Sequence, residues 1–237
     1  MLAYYGLGMI GLLSVFFAVL QVYGLYFWPT LSDQRSGLFY NPVVQGGFLG
    51  LLIVAMVRIG CFWMVPFLAL GLYINPNRGG WVAAAIGLLA TWVRKPMIIA
   101  TMVMLGAFYL TQSPRLSDQE RLNVWQAGWV NLTWLGHGWG SYADVWIVRD
   151  GFGFQAVHAH NDYLELVFEL GIRSIPVFFL LLYALLQTSA PDWPILVAFC
   201  TLATFSMPTF LPATASIGAI AFASILIGAK DGQMESS

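Results

Sequence analysis

The chain has 237 residues, of which 59% are hydrophobic and 9% charged, with a formal net charge of −1 and a mean hydropathy of +0.75. The near-neutral charge and the lack of a basic cluster give no indication of a nucleic-acid partner, and we expect none. Repeated long stretches with almost no charge are not required by any soluble fold. They predict a helical membrane protein.

Eight apolar stretches, taken in chain order, are candidate membrane segments, since about 20 apolar residues are needed to cross the hydrocarbon. They are Met1–Trp28, Gly46–Val57, Ile59–Ile74, Gly80–Val93, Pro96–Thr111, Ser174–Gln187, Pro194–Met207 and Pro212–Ala229. Several are short, so these tilt, thin the bilayer locally or break before crossing. We predict an all-α integral membrane protein, a single membrane domain over residues 1–237.

The basic residues suggest an orientation. With the N-terminus inside, the cytoplasmic side receives Arg58, Arg94, Lys95 and Lys230. The opposite side receives a long segment, residues 112–173, and six basic residues, all arginines: Arg35, Arg78, Arg115, Arg121, Arg149 and Arg173. Six of the ten basic residues then lie outside, against the usual bias. Arginine suits bidentate recognition of phosphate or carboxylate. The alternative is that these side chains merely reach to the membrane interface.

The long outside segment contains a predicted interfacial helix. Ser117 and Glu120 form a capping box, and the apolar residues that follow it recur at helical spacing: Leu122, Trp125, Trp129 and Leu132. Such a helix can lie along the membrane surface with tryptophan at headgroup depth. The stretch "LGHGWGSY" follows, and its glycines allow a closely approached backbone.

The stretch "HAHNDYLELVFELG", from His158 to Gly171, concentrates polar chemistry in this apolar chain. Asn161 or Asp162 can cap a helix that begins near Tyr163. The spacing of Glu165, Glu169 and Arg173 at intervals of four predicts surface ion pairs on that helix. Histidine is the default proton acceptor near neutral pH, and a helix start is a potential anion site.

Two other kinds of site fit these residues less well. A zinc site could use His137, His158 and His160, but no cysteine lies near them and the spacing is unusual. A paired-carboxylate glycosidase would need two carboxylates that flank the bond to be broken. Two glutamates one turn apart on one helix do so poorly.

The His-Asn stretch closely resembles the signature of the O-antigen ligase and O-antigen polymerase superfamily. Three other stretches match in the same order: "RSGLFYNPVVQGGFLG", "NPNRGGWVAAA" and "RLNVWQAGWVNLTWLGHGWGSY". The second has Asn77 in place of the serine that the family pattern carries. The matches cover residues 35 to 172.

The resemblance implies a GT-C-like helical bundle with a large periplasmic loop, residues 112–173, which carries the interfacial helix and the His-Asn motif. It implies a glycosyltransferase of the bacterial inner membrane that acts in lipopolysaccharide or related biosynthesis. Such enzymes transfer a glycan from an undecaprenyl-pyrophosphate carrier to a hydroxyl of lipid A core, a growing polysaccharide or a protein, on the periplasmic face. No metal or other cofactor is expected.

The resemblance also assigns roles to single residues. His160 is the expected base on the acceptor hydroxyl, and Arg35, Arg78 and Arg121 are expected to hold the pyrophosphate. His158, Asn161 and Glu165 are possible supporting residues. Because family members are usually longer, with more helices before the first match, the alternative is a non-catalytic member that acts as a partner or inhibitor of a full-length enzyme. A transporter would need ionisable residues or broken helices at mid-membrane, which the sequence does not suggest.

Overall fold

The computed structural model of the chain describes residues 1–25, 37–39, 41–75, 78–95, 98, 116–149, 152–155, 158–206 and 212–234. Its α-helices are α1 (Leu2–Val22), α2 (Pro42–Arg58), α3 (Val65–Ile74), α4 (Arg78–Trp92), α5 (Leu116–Val130), α6 (Asp162–Leu170), α7 (Ile175–Leu186), α8 (Trp193–Phe205) and α9 (Pro212–Met234). Short 3-10 turns span Phe62–Met64, Ser141–Asp144 and Gly171–Ser174. Two strands, β1 (Trp146–Arg149) and β2 (Phe152–Gln155), complete the described structure.

The helical class predicted from the composition is confirmed. Seven of the eight apolar stretches coincide with helices, whereas the fifth, Pro96–Thr111, lies outside the described residues except for Ile98. Two helical stretches, Leu2–Val22 and the nearly continuous Asp162–Leu186, are long and apolar enough to cross a membrane, and the other apolar helices are shorter. The number of membrane crossings therefore stays a prediction.

A small antiparallel hairpin was not expected from the sequence. β1 pairs with β2 so that Trp146 lies opposite Gln155 and Arg149 lies opposite Phe152. The hairpin lies within residues 112–173, for which the sequence predicted two helices and a glycine-rich loop between them. The described fold is thus a helical bundle with one two-stranded hairpin beside it.

Helix α2 lies at the centre of the bundle. It packs against α1, α3, α4 and α8, and Phe48, Leu49 and Leu52 are fully buried. A helix that is apolar on every side has no face that prefers water, so it is the natural centre of the core. Many large apolar side chains on the outer helices remain exposed, among them Phe16, Phe67, Phe179 and Leu182.

Glycines bring the start of α4 against α2. A Cβ atom at Gly80 would collide with the backbone of Gly46, and one at Gly50 would collide with the backbone of Gly80. Small residues at this spacing allow two helices to approach at backbone distance, as they do in membrane helix pairs. The contact fixes the position of Arg78, the first residue of α4.

One end of the bundle is held together by Asp192. Its carboxylate accepts hydrogen bonds from Ser224 Oγ at 2.7 Å and from Tyr4 Oη at 3.3 Å, and its Oδ1 lies 3.8 Å from Arg58 Nε. Nη1 of Arg94 donates to the carbonyls of Thr188 and Ser189 in the same turn. The residues predicted to be cytoplasmic, Arg58 and Arg94, therefore share one end with the start of α1.

The opposite end carries the starts of α2, α4 and α6. Gly47 of α2 lies against Leu202, near the end of α8, and Tyr163 Oη donates to the carbonyl of Cys200 at 2.9 Å. Together with the contact between Gly46 and Gly80, these contacts place Arg78 at the same end of the bundle as the His-Asn motif.

We expect Gly80→Ala to destabilise the protein by roughly 1–3 kcal/mol, because the added methyl group overpacks a contact between two backbones. The matched control is Gly6→Ala on α1, where a Cβ would meet nothing within 4 Å. That substitution should be neutral or slightly stabilising, since alanine has the higher helix propensity. Thermal unfolding of the two variants in detergent checks the difference, and equal stability would refute the close packing of α2 and α4.

Candidate functional site

The His-Asn motif lies directly before α6, and Asn161 is the N-cap of that helix. Its Oδ1 accepts hydrogen bonds from the backbone N–H groups of Tyr163 and Leu164, each at 3.1 Å. The predicted helix start is thus confirmed, with Asn161 rather than Asp162 as the cap. Because the cap already satisfies two free amides, this helix start is less available to an external anion than the sequence suggested.

Glu165 is the central residue of the site, although its side chain is only 2% exposed. Oε1 lies 2.8 Å from Nδ1 of His158, and Oε2 accepts the backbone N–H of Ala159 at 2.8 Å. A carboxylate can only accept hydrogen bonds, so Nδ1 of His158 is the donor. Both oxygens of the buried carboxylate are therefore satisfied by the segment that precedes α6.

Trp125 of α5 holds the same segment from the other side. Its indole Nε1 donates to the carbonyl of Ala159 at 2.7 Å, so both backbone polar groups of Ala159 are bonded. The apolar face predicted for α5 is consequently divided. Trp125 and Leu132 pack against a small core beside the site, whereas Trp129 is 70% exposed.

The two histidines of the motif have different electrostatic surroundings. The pKa of His158 is raised above its ordinary value of 6.5, chiefly by the hydrogen bond to Glu165. The pKa of His160 is lowered to about 4, first by burial and then by the positive charge of Arg121. The imidazole of His160 is therefore uncharged at neutral pH, and the imidazole of His158 titrates at a higher pH than that of His160.

His160 also has an unusual backbone conformation. Its φ of 52° is the one positive value among the described non-glycine residues. The atom Nδ1 is buried and has no hydrogen-bond partner among the residues that the structure describes. Strained residues with unsatisfied polar atoms occur often at functional sites, which makes His160 a candidate on structural grounds as well.

The three arginines expected to hold pyrophosphate are placed differently. Arg121 is a half-buried residue of α5 whose charge acts on His160. Arg78 begins α4 at the same end of the bundle and is also half-buried. Arg35 lies outside the described residues. The structure therefore places Arg121 where its charge acts on His160, and it places Arg78 at the same end of the bundle.

The interpretation of the glutamates as surface residues is wrong. Glu169, like Glu165, is 2% exposed, and its Oε1 accepts the backbone N–H of Tyr142 at 3.4 Å. The spacing of four that suggested ion pairs with Arg173 instead places both carboxylates on the inward face of α6. Glu165, one of the possible supporting residues, is in direct contact with His158.

His137 serves the packing of the loop in this structure. Its ring stacks on Phe168 with centroids 4.3 Å apart, and Nε2 lies 2.7 Å from the carbonyl of Asn131. Among the described residues, no group of three or more His, Cys, Asp or Glu side chains is arranged to hold a metal ion. The zinc alternative built on His137, His158 and His160 therefore has no geometric support.

The glycine-rich loop reaches the end of α6. The N–H groups of His137 and Gly138 donate to the carbonyls of Phe168 and Glu169, and a Cβ atom at Gly136 or at Gly171 would collide with the backbone opposite it. Both glycines have positive φ. The close approach that the sequence predicted for this loop is observed, and its partner is the C-terminus of α6.

An apolar cavity of about 420 Å³ lies next to the site, between α6, α7, α8 and α9. Its lining includes Trp139, Asp162 and Glu169 together with Phe178, Leu196, Phe199 and Phe222. Cavities of this size accommodate small organic ligands. The cavity extends from residues next to the His-Asn motif into the apolar part of the bundle.

Sequence reasoning missed a buried polar network at the same end. Gln45 Nε2 donates to Ser14 Oγ at 3.1 Å, and Asn75 Nδ2 donates to Gln45 Oε1 at 3.0 Å. Gln21 exchanges two hydrogen bonds with the backbone of Gly37. The available signal was the presence of single polar residues inside apolar stretches. A buried polar side chain without a hydrogen-bond partner costs free energy, so such residues are expected to bond to one another. The network joins α1, α2 and the turn before α4.

The chain matches no known protein family in a scan of its full sequence. No curated protein matches it either.

The buried, uncharged state of His160 predicts a pH effect on stability. A histidine whose pKa is about 4 in the folded state and 6.5 when unfolded stabilises the fold above pH 6.5, and this contribution is lost as the pH falls toward 4. We expect His160→Asn to reduce the loss of stability between pH 6.5 and 5 by on the order of 1–2 kcal/mol. Thermal unfolding of parent and variant at both pH values tests this, and parallel losses would contradict it.

Proposed function

We propose that the chain transfers a glycan from an undecaprenyl-pyrophosphate carrier to an acceptor hydroxyl. The acceptor belongs to a glycolipid such as lipid A core, to a polysaccharide or to a protein. The reaction takes place at the periplasmic face of the bacterial inner membrane, and it uses no metal or other cofactor. The ligase, polymerase and protein-transfer variants of this reaction share the same chemistry.

The observation that carries the proposal is that the charge of Arg121 acts on His160, two residues after His158, at one end of an otherwise apolar bundle. A pyrophosphate leaving group gains negative charge as the sugar departs, and fixed guanidinium groups stabilise that charge. The acceptor hydroxyl must lose its proton, for which imidazole is suited. The resemblance assigns the proton acceptor to His160, and His158 lies two residues before it.

A lipid-linked substrate accounts for the rest of the architecture. Large apolar side chains are exposed on several helices, and such surfaces are stable in contact with hydrocarbon. The apolar cavity beside the motif offers room for part of a lipid chain close to the polar site. Arg78, at the same end of the bundle, is the second cation proposed to bind the pyrophosphate, and Arg35 is the third.

The alternative function, a non-catalytic partner or inhibitor of a full-length enzyme, makes the opposite prediction about these side chains. A partner needs the fold, but it does not need a titrating imidazole beside an arginine. Substitutions that keep the fold and change only the site chemistry therefore distinguish the two functions.

We expect Arg121→Lys to lower glycan transfer by on the order of 10²-fold, because lysine keeps the charge but loses the bidentate geometry. The matched control is Arg173→Lys, at an exposed residue of the same segment, which should transfer at the parental rate. Both variants are introduced into cells that lack the native gene, and the surface glycans are compared by gel electrophoresis at equal protein levels. Normal glycans in cells that carry the Arg121→Lys variant would favour the non-catalytic alternative.

The orientation is tested by cysteine labelling in intact cells. In a background without Cys61 and Cys200, a cysteine at exposed position 137 should react with a membrane-impermeant thiol reagent, and one at exposed position 95 should not. Labelling after cell lysis shows that both sites can react. Reaction at position 95 with protection of position 137 would place the motif on the cytoplasmic side and exclude a periplasmic reaction.

A further inference from the structure

Gln45, in the first turn of α2, is a fully buried amide in the polar network described above. Its Nε2 donates to Oγ of Ser14 at 3.1 Å and to the carbonyl of Ser14 at 3.3 Å, and its Oε1 accepts from Nδ2 of Asn75 at 3.0 Å. A bonded network of buried polar groups specifies one arrangement of the elements that it joins. Gln45 therefore holds the end of α3, where Asn75 lies, in a fixed position relative to α1 and α2.

Arg78 is attached to α2 on both sides of its position in the chain. Gln45 bonds Asn75, three positions before Arg78, and the backbone of Gly46 lies against Gly80, two positions after it. Because consecutive residues of an α-helix point about 100° apart, these two contacts hold the start of α4 from different directions. The position of Arg78 thus depends on two neighbouring residues of one helical turn.

The next residue of the same turn connects α2 to the His-Asn motif. Gly47 lies against the side chain of Leu202 in α8. Tyr163, the second residue of α6, donates its hydroxyl to the carbonyl of Cys200 in the same helix α8, at 2.9 Å. The first turn of α2 is therefore a common support for Arg78 and for the helix that follows the histidines.

The network also holds the chain that precedes α2. Oγ of Ser14 accepts the N–H of Leu38 at 3.2 Å, and Gln21 exchanges two hydrogen bonds with the backbone of Gly37. Gly37 has a φ of 56°, and a Cβ atom there would collide with Nε2 of Gln45 and with the carbonyl of Ser14. The amide of Gln45 is thus enclosed by the segment before α2 on one side and bonded to Asn75 on the other.

We propose that Gln45 is a positioning residue for the transfer reaction, because through Asn75 it determines where Arg78 lies relative to the His-Asn motif. This inference rests on the proposed function, in which Arg78 binds the pyrophosphate. A guanidinium group stabilises the leaving group only when it is held at the correct distance, so a small displacement of Arg78 weakens that stabilisation. Gln45 is fully buried and acts through the turn that carries the arginine.

Two variants remove the bond between Gln45 and Asn75. Gln45→Met keeps nearly the same volume, but it takes one partner away from the buried amide of Asn75. Adding Asn75→Leu replaces both members of the pair by apolar groups of similar shape, which costs far less than removing one member. This paired variant should unfold at nearly the parental temperature. The matched control is Ser224→Ala, which removes the 2.7 Å hydrogen bond to Asp192 at the opposite end of the bundle.

The measurement that a merely structural role would not change is the coupling to Arg78. The probe is farnesyl pyrophosphate, which has the head group of the carrier on a shorter chain, and its Kd for the full chain in detergent is measured by calorimetry. We expect the paired variant to weaken binding roughly fivefold to tenfold and Arg78→Lys to weaken it at least as much. In the Arg78→Lys background the paired variant should weaken binding by less than about twofold, because both changes act on the same contact. Gln45→Met alone should show the same coupling, and Ser224→Ala should bind with parental affinity.

The outcomes separate failure of this inference from failure of the proposed function. If the paired variant weakens binding equally in both backgrounds, or binds like the parent while Arg78→Lys does not, the inference alone is overturned. Parental affinity in Arg78→Lys would overturn the proposed role of Arg78 and the inference with it. A parent that does not bind the probe would count against both.

Discussion

The burial of one carboxylate determines how the site is built. Glu165 is almost inaccessible to water, and a buried charge of this kind is stable only when both oxygens have partners. Those partners are the imidazole of His158 and the N–H of Ala159, which are held in place because Trp125 bonds the Ala159 carbonyl and Asn161 caps α6. If any of these contacts is removed, the carboxylate of Glu165 loses hydrogen bonds that make its burial stable. The positions of α5, the motif and α6 are therefore interdependent.

The helices of the bundle hold the polar residues of the site in position but do not themselves carry out the chemistry. Backbone contact between α2 and α4 puts Arg78 at the end where α6 begins, and the hydrogen bond from Tyr163 to Cys200 joins α6 to α8. At the other end, Asp192 joins three helices through side chains. A structure in which apolar helices present a few polar groups at one end is compatible with the lipid-linked substrate proposed above, because apolar surfaces suit a lipid chain and polar groups suit a head group.

Much of the fold could be predicted from the sequence because apolar stretches and turn residues are local signals. The helices and the cap at Asn161 follow from them. The burial of Glu165 and Glu169 could not be predicted in this way. The spacing of four is the same for a surface ion-pair row and for an inward face, and only tertiary packing distinguishes the two. The hydrogen bond from Trp125 to Ala159 and the hairpin depend on contacts between distant residues, which periodicity does not encode.

The contacts of the site join residues that are much closer in sequence than the residues joined by contacts of the bundle. Trp125 and Ala159 are 34 positions apart, and Glu165 and His158 are seven apart, whereas Tyr4 and Asp192 are 188 apart. Short loops cost less entropy to close. As the chain is synthesised from its N-terminus, every residue of this local unit is available before α8 and α9 exist. The polar unit can therefore assemble first and present a formed surface on which the last two helices pack.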